Sequence, residues 1–383
     1  VSDRAGRCKH HPRRGLGAEG AIGYRCAMTS LSSPIRVGLI GYGFSGKTFH
    51  APLIAAEPRF ALNLVASRDA AKVRADLPDA AVDADPFAVA RADAVDLVVI
   101  ASPNDSHFPL ARAALLAGKH VVVDKPFTLD LAEARTLAAL AETQGRMLSV
   151  FHNRRWDSDF LSVKRAIADG LVGAVSLFES HIDRFRPQVR QRWREGDGPG
   201  SGILFDLGPH LIDQALCLFG LPDRVQANLA HQRDGALTDD WAHVVLVYGS
   251  RRVILHASML VAGGARRFVV HGDAGSVEKR GADRQEQQLL AGMRPGAPGW
   301  GDDPDDLVAY NAQGDARSIA ATPGDQRGYY RAIADALDGA GTNPVPPGQA
   351  LAVMAVLDAA TRAAATGTST TPDLTPAERA AWS

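Results

Sequence analysis

Two short stretches of the 383-residue chain carry side chains able to do chemistry. In Asp124-Lys125-Pro126-Phe127, a lysine stands where the apolar run from His120 ends, fixed by the proline that follows. An ammonium so placed can sit on a reacting oxygen, although taken alone Lys125 reads as a surface charge. In the segment Ile203–Phe219, Asp206, His210 and Asp213 recur at i, i+4 and i+7, on one face of a helix, with Cys217 continuing the stripe. The rest of that segment is apolar over most of its circumference, so the helix is expected to be buried. Buried carboxylates and imidazoles need partners. Either these residues hydrogen-bond to structure or they face a wet cleft and meet substrate, and spacing leaves both open. Pro209 is acceptable if it lies in the helix's first turn.

A third stretch could hold a co-reactant. The apolar run from Ile35 to Ile40 breaks at Gly41, and Gly41, Gly43 and Gly46, with Phe44 and Ser45 between them, give the G-x-G-x-x-G spacing ahead of a helix-compatible segment. Gly41 allows a sharp turn, Gly43 lets the backbone approach a pyrophosphate, and Gly46 allows close helix–strand packing. The helix N-terminus offers N–H groups and a positive dipole end to phosphates. Three glycines also suit an ordinary turn, but here a strand precedes them and further strand–helix units follow. At the end of the second apolar run stand Ser67 and Arg68, then Asp69. A hydroxyl and a guanidinium suit a ribose 2′-phosphate, which favours NADP. The alternative is that Arg68 is solvated and Asp69 takes the ribose, which would leave NAD possible. Ser102, Pro103 and Asn104, with His107 nearby, form the next loop, which would run past the nicotinamide side.

The elements that must position these residues follow from periodicity. Strands are expected at residues 62–67, 95–101, 120–124 and 147–151, with helices at 108–117 and 131–143, and this alternation predicts a parallel sheet with helices on both faces. Past Phe151 the pattern changes to alternating runs at 174–183, 224–231, 242–248, 253–260 and 267–271, the mark of an antiparallel meander. Residues 289–322, thick with Gly, Pro, Asp and Ala, read as a long excursion, and helices near 328–339 and 348–365 close the chain. The divisions expected are a non-native or disordered extension over 1–33, a dinucleotide domain over 34–151, a substrate and oligomerisation domain over 152–366, and a loosely held tail over 367–383. Position 1 is Val and Met28 precedes the first strand, so the working chain is expected to begin near Met28. Cys8, His10, His11 and Cys26 match no established zinc spacing, and no metal site is expected. A net charge of −1 gives no reason to expect nucleic acid, no apolar run reaches the roughly 18 residues of a spanning helix, and three scattered cysteines suit a cytoplasmic protein.

Asp124-Lys125-Pro126 together with Asp206-Leu-Gly-Pro-His210 resembles the Gfo/Idh/MocA oxidoreductases over residues 35–365. Phe49-His50-Ala51-Pro52-Leu53-Ile54 and Arg184-Phe185-Arg186-Pro187 look most like the branch of NADP-dependent scyllo-inositol dehydrogenases. Asp124 stands where that family usually carries Glu, keeping the charge with a shorter reach. The resemblance implies an α/β Rossmann domain followed by an α+β domain on a mostly antiparallel open sheet. It implies hydride transfer between nicotinamide C4 and a carbinol carbon of a sugar, cyclitol or other polyol, in a homo-oligomer. His210 would then be the general base or acid, Lys125 would polarise the reacting oxygen, Asp206 would orient the substrate, and Asp124 would lie at the cofactor. Asn153, Arg154, Trp156 and His181 would be candidates for the cleft wall, each equally able to be interdomain packing. Two rivals are a non-catalytic dinucleotide sensor and an enzyme for a dihydrodiol or imine-type bond. The five arginines from Arg184 to Arg194 read as a flap over an anionic substrate or cofactor phosphate, or more plainly as a solvated or subunit-contact loop.

Overall fold

The run Ile35–Ile40 is a strand buried from Val37 onward, as a strand covered on both faces of its sheet must be. The structure, a computed structural model, describes residues 34–382. The expected extension over 1–33, its start near Met28 and the Cys8, His10, His11 and Cys26 grouping lie outside the described residues. Strands β1 (Ile35–Ile40), β2 (Phe60–Ala66), β3 (Ala81–Asp83), β4 (Leu97–Ile100), β5 (His120–Val123) and β6 (Leu148–Val150) form a parallel sheet in the order β3-β2-β1-β4-β5-β6. The order reverses between β1 and β4, which opens a crevice beyond their carboxyl ends. Strand β3 was not expected. It spans 3 residues of which the outer two are exposed, so no apolar run marks it.

A second sheet follows, built from β7 (Val175–Asp183), β8 (Arg224–Ala230), β9 (Trp241–Tyr248), β10 (Arg251–Ser258), β11 (Phe268–Gly272), β12 (Gly275–Lys279), β13 (Leu307–Asn311) and β14 (Ala316–Ile319). Its order is β14-β13-β12-β11-β7-β10-β9-β8, antiparallel except where β7 and β10 run parallel. The supposed excursion over 289–322 therefore supplies the last two strands at one end of the sheet, β13 and the edge strand β14. Helix Pro347–Thr366 packs against β8, helix Ile203–Phe219 and helix Leu131–Gln144, joining the two sheets. No described helix is long and apolar enough to cross a membrane.

Helix Ile203–Phe219 carries the polar stripe, and its placement is strongly determined. Asp239 caps its start, its carbonyl accepting from Ile203 N (2.8 Å) and its carboxylate from Leu204 N (2.8 Å). Pro209 lies in the second turn, not the first, and deprives the Phe205 carbonyl of its intrahelical donor. Midway along, the buried Asp213 takes a guanidinium fork from Arg155 (Nη2 to Oδ1 2.6 Å, Nε to Oδ2 2.9 Å). One residue on, Gln214 accepts from Arg267 Nη2 at 2.7 Å, and Arg267 Nε donates to buried Asp159 at 2.9 Å. These contacts fix the helix's rotation and so decide which way Asp206 and His210 point.

The residues after Gly367 are docked, contrary to the expected loose tail. Thr370 and Val225 exchange backbone hydrogen bonds of 2.7 and 2.9 Å, Leu374 is buried, and Arg135 forks onto Glu378 at 2.7 and 3.0 Å. Strength differs sharply between buried and exposed pairs. Replacing Asp213 with Ala strands a buried guanidinium and is expected to cost about 3–5 kcal/mol, read as a lower urea midpoint. Asp373→Ala removes a partner whose side chain is 69% exposed and should shift that midpoint little.

Candidate active site

The crevice beyond β1 and β4 has a volume of about 580 Å³. Gly41 sits at φ +99°, where a Cβ would meet the Ala101 carbonyl oxygen at 2.7 Å. A Cβ on Gly46 would run into the Gly41 carbonyl oxygen, so the helix start packs directly on the turn. Gly43 differs, since a Cβ there would meet nothing within 4 Å and would fill the cradle itself. Gly41, Gly43, Phe44, Ser45, Ser67, Arg68, Ser102, Pro103, Asn104, Asp124 and Lys125 all line this crevice. Its donor set fits a dinucleotide, since the glycine-turn backbone and the Arg68 guanidinium line the same crevice. Gly46 lies behind the wall. So does His107, fully buried with its ring nitrogens 2.8 Å from the Pro126 carbonyl and 3.1 Å from that of Ser102, which ties two wall loops together. Arg68 is exposed and makes no ion pair among the described residues, whereas Asp69 is occupied through Oδ1 as a helix N-cap, accepting from Lys72 N at 3.0 Å.

At the inner end of the crevice, Asp124 joins two walls. Its Oδ2 accepts from Ser45 Oγ (2.5 Å) and its Oδ1 from Lys125 N (2.7 Å). Burial would raise this carboxyl, but neighbouring His50, Lys125 and Ser45 hold it below the ordinary carboxylate range. The shorter Asp thus reaches the glycine turn and its own neighbour's backbone, while the lysine side chain turns elsewhere. Lys125 Nζ donates to the Asp206 carbonyl (2.6 Å) and to Asp206 Oδ1 (3.1 Å). The two side chains are only 11% and 14% exposed. Burial works against the Asp206 charge, yet Lys125, Arg194 and Arg184 hold it well below the carboxylate range. Burial lowers the Lys125 ammonium, with Asp206 opposing that shift.

Asp206, His210, Lys125, Asn153 and Arg154 line a second cleft of about 350 Å³ that shares Phe44, Ser45, Asp124, Lys125, Trp193 and Arg194 with the crevice. Burial drives the His210 imidazole well below its ordinary value, and the charges of Lys125 and Arg154 push the same way. His210 is therefore neutral near pH 7, with Nδ1 buried and without a hydrogen-bond partner among the described residues. Of the stripe read from the helix, Asp206 and His210 reach this cleft while Asp213 is spent on Arg155.

Two expected wall residues are elsewhere. Trp156 packs edge-on against Tyr329, ring centroids 5.8 Å apart. His181 alternates with buried Ser180, so it projects from the other face of β7, beside Asp183 and His256, with the three residues' ligand atoms within 4.8 Å of one another. Conversely, Lys72 and Trp193 line the crevice and are absent from the residues expected there, whereas Arg194 lines it too. The five-arginine run signalled Arg194. Lys72, one turn after Asp69, carried no distinguishing signal.

A doubly wound sheet of this order, with its crevice lined by a glycine turn, defines a dinucleotide-binding class of protein. Residues 35–152 match the family model described as oxidoreductase family, NAD-binding Rossmann fold, and residues 164–371 the model for the same family's C-terminal alpha/beta domain. The chain belongs to the Gfo/Idh/MocA oxidoreductase family. It is 54% identical over 331 residues to the uncharacterised oxidoreductase YdgJ of Escherichia coli K12, covering 86% of this chain and 96% of that one. It is 36% identical over 331 residues to the Bacillus subtilis 168 scyllo-inositol 2-dehydrogenase (NADP(+)) IolW, covering 85% and 92%. A Klebsiella pneumoniae protein solved as a candidate oxidoreductase superposes with a TM-score of 0.87 at 60% identity, covering 92% and 98%.

The glycines separate folding from binding. Gly43→Ala should leave the thermal midpoint unchanged and abolish tight dinucleotide binding, read by quenching of tryptophan fluorescence. Gly46→Ala should lower both.

Proposed function

We propose that this chain is an NADP-dependent dehydrogenase that moves a hydride between nicotinamide C4 and a carbinol carbon of a sugar, cyclitol or related polyol. The observation that carries this reading is the neutral His210 beside the Lys125–Asp206 ion pair, in a cleft continuous with the dinucleotide-shaped crevice. The relatives named as scyllo-inositol 2-dehydrogenase and, in Rhizobium meliloti, inositol 2-dehydrogenase lend support to a cyclitol-like substrate.

In oxidation, His210 takes the hydroxyl proton as the carbon gives up its hydride, and in reduction it returns that proton. Lys125 holds the substrate oxygen and stabilises the negative charge that grows on it. Asp206 aims the ammonium and offsets the cost of burying it. The bound nicotinamide supplies the hydride acceptor or donor. The Gly41–Ser45 backbone would hold the pyrophosphate, Ser67 and Arg68 would hold the 2′-phosphate, and Ser102, Pro103 and Asn104 would wall the nicotinamide side. Residues 34–151 serve as the dinucleotide domain and 152–366 as the substrate domain.

Turnover of purified protein with NADP and with NAD, against inositols, aldoses and their reduced forms, tests this reading. NADP should support turnover of a cyclitol or sugar, and His210→Ala should lower kcat by about 10²–10⁴-fold. Tight NADP binding with no turnover across the panel would count against it. Arg68→Ala loses a charge-assisted contact of about 1.5–3 kcal/mol, so the KM for NADP should rise at least about tenfold with little change for NAD. Because the base must be unprotonated and its midpoint lies well below 6.5, oxidation should stay level from mildly alkaline pH down through 6.5 and fall only at more acid pH.

A further inference from the structure

The wall of the cleft beside His210 carries Lys125 and six arginines against only three acids, Asp124, Asp206 and Glu286. The acids are already engaged. Asp124 is bonded to Ser45 and to the Lys125 backbone N–H. Asp206 holds Lys125 and, at 3.4 Å, Arg194. Glu286 faces Arg154 at 3.6 Å, and Arg192 is held by Glu195, at 2.6 Å, from outside the cleft wall. What is left over is a cationic group of three. Arg184 has only a third share of Asp206, at 3.9 Å, and Arg186 and Arg190 form no ion pair among the described residues.

These guanidiniums crowd one another. Burial and the charges of Arg184, Arg190 and Arg192 push Arg186 below its ordinary value, with Glu195 opposing, and burial lowers Arg184, where Asp206 and Glu286 oppose and Arg154 and Arg192 add to the shift. Like charges gathered in a concave, partly desolvated wall cost free energy until an anion joins them, and a planar guanidinium fork matches carboxylate and phosphate oxygens. The cofactor does not account for them. The crevice wall includes Arg194 and Arg68, but Arg184, Arg186 and Arg190 line only the cleft that contains His210.

We propose that the substrate carries an anionic group, a carboxylate or a phosphate borne on the polyol, held by Arg184, Arg186 and Arg190 while Lys125 and His210 hold the reacting carbinol. The proposal rests on the dehydrogenase reading of this cleft and narrows its substrate class. A cleft of about 350 Å³ lies at the lower end of small-molecule sites, enough for a monosaccharide or cyclitol with one such group.

The test is calorimetric binding to the full chain, with and without NADP, at one fixed ionic strength. The probes are D-glucose, D-glucuronate and D-glucose 6-phosphate, with wild type and the double variant Arg186→Gln, Arg190→Gln. At least one anionic sugar should bind at least about tenfold more tightly than glucose, and the double variant should bring that ratio close to one. Which anion is preferred identifies the group as carboxylate or phosphate. The proposal is overturned if neither anion binds more tightly than glucose, binding by none of the three included. It is equally overturned if the preference survives the double variant, or if that variant instead weakens NADP tenfold. Because the readout is binding, an anion preference without NADP-dependent turnover of any panel member would reject the dehydrogenase reading and leave the anion site standing.

Discussion

The contact between Lys125 and Asp206 is the interaction on which the site depends. It links the carboxyl end of β5, in the parallel sheet, to the first turn of the helix that lies on the antiparallel one. Each partner is nearly buried, and without Asp206 the ammonium would lose its ion-pair partner in a poorly solvated place. Much of the surrounding structure holds this pair in register. Asp124 and Ser45 fix the lysine's strand end against the glycine turn, Asp239 caps the helix that carries Asp206, and Arg155 and Arg267 lock that helix further along. The crevice and the cleft meet at the lysine for this reason.

The same pair shapes the electrostatics. Asp206 stays ionised because three cations face it, and His210, one turn on, is kept neutral by burial and by the lysine's charge. Both groups are thereby held unprotonated, one as a charged carboxylate that steadies the lysine and the other as a neutral imidazole able to accept a proton. The cation excess continues along the wall through the arginine segment, so the field in the cleft is positive where a substrate would enter.

Features with a strong local signature were legible in the chain itself. The glycine spacing follows from close backbone approaches at Gly41 and Gly46, and the Ile203–Phe219 helix from its continuous apolar periphery, so both could be read without coordinates. Features that depend on distant partners could not. Strands β3 and β14 are mostly exposed and β13 lies in a stretch thick with Gly, Pro and Asp, so only their sheet neighbours make them strands. The segment after Gly367 is held by Val225 and Arg135, more than 100 residues away in sequence, which no local composition reveals. His181 lies on the face of β7 opposite buried Ser180, beside Asp183 and His256, and Asp213 left the stripe's chemistry because Arg155 reaches it. Helical spacing states which residues share a face, and the fold decides what each of them meets.

The most direct test of this account is the pH titration of the His210 imidazole by nitrogen-15 NMR, assigned with His210→Gln, in wild type and in Lys125→Met. The account predicts a wild-type midpoint well below 6.5 that rises when the lysine's charge is removed. A wild-type midpoint at or above 6.5, or one that Lys125→Met leaves in place, would contradict it.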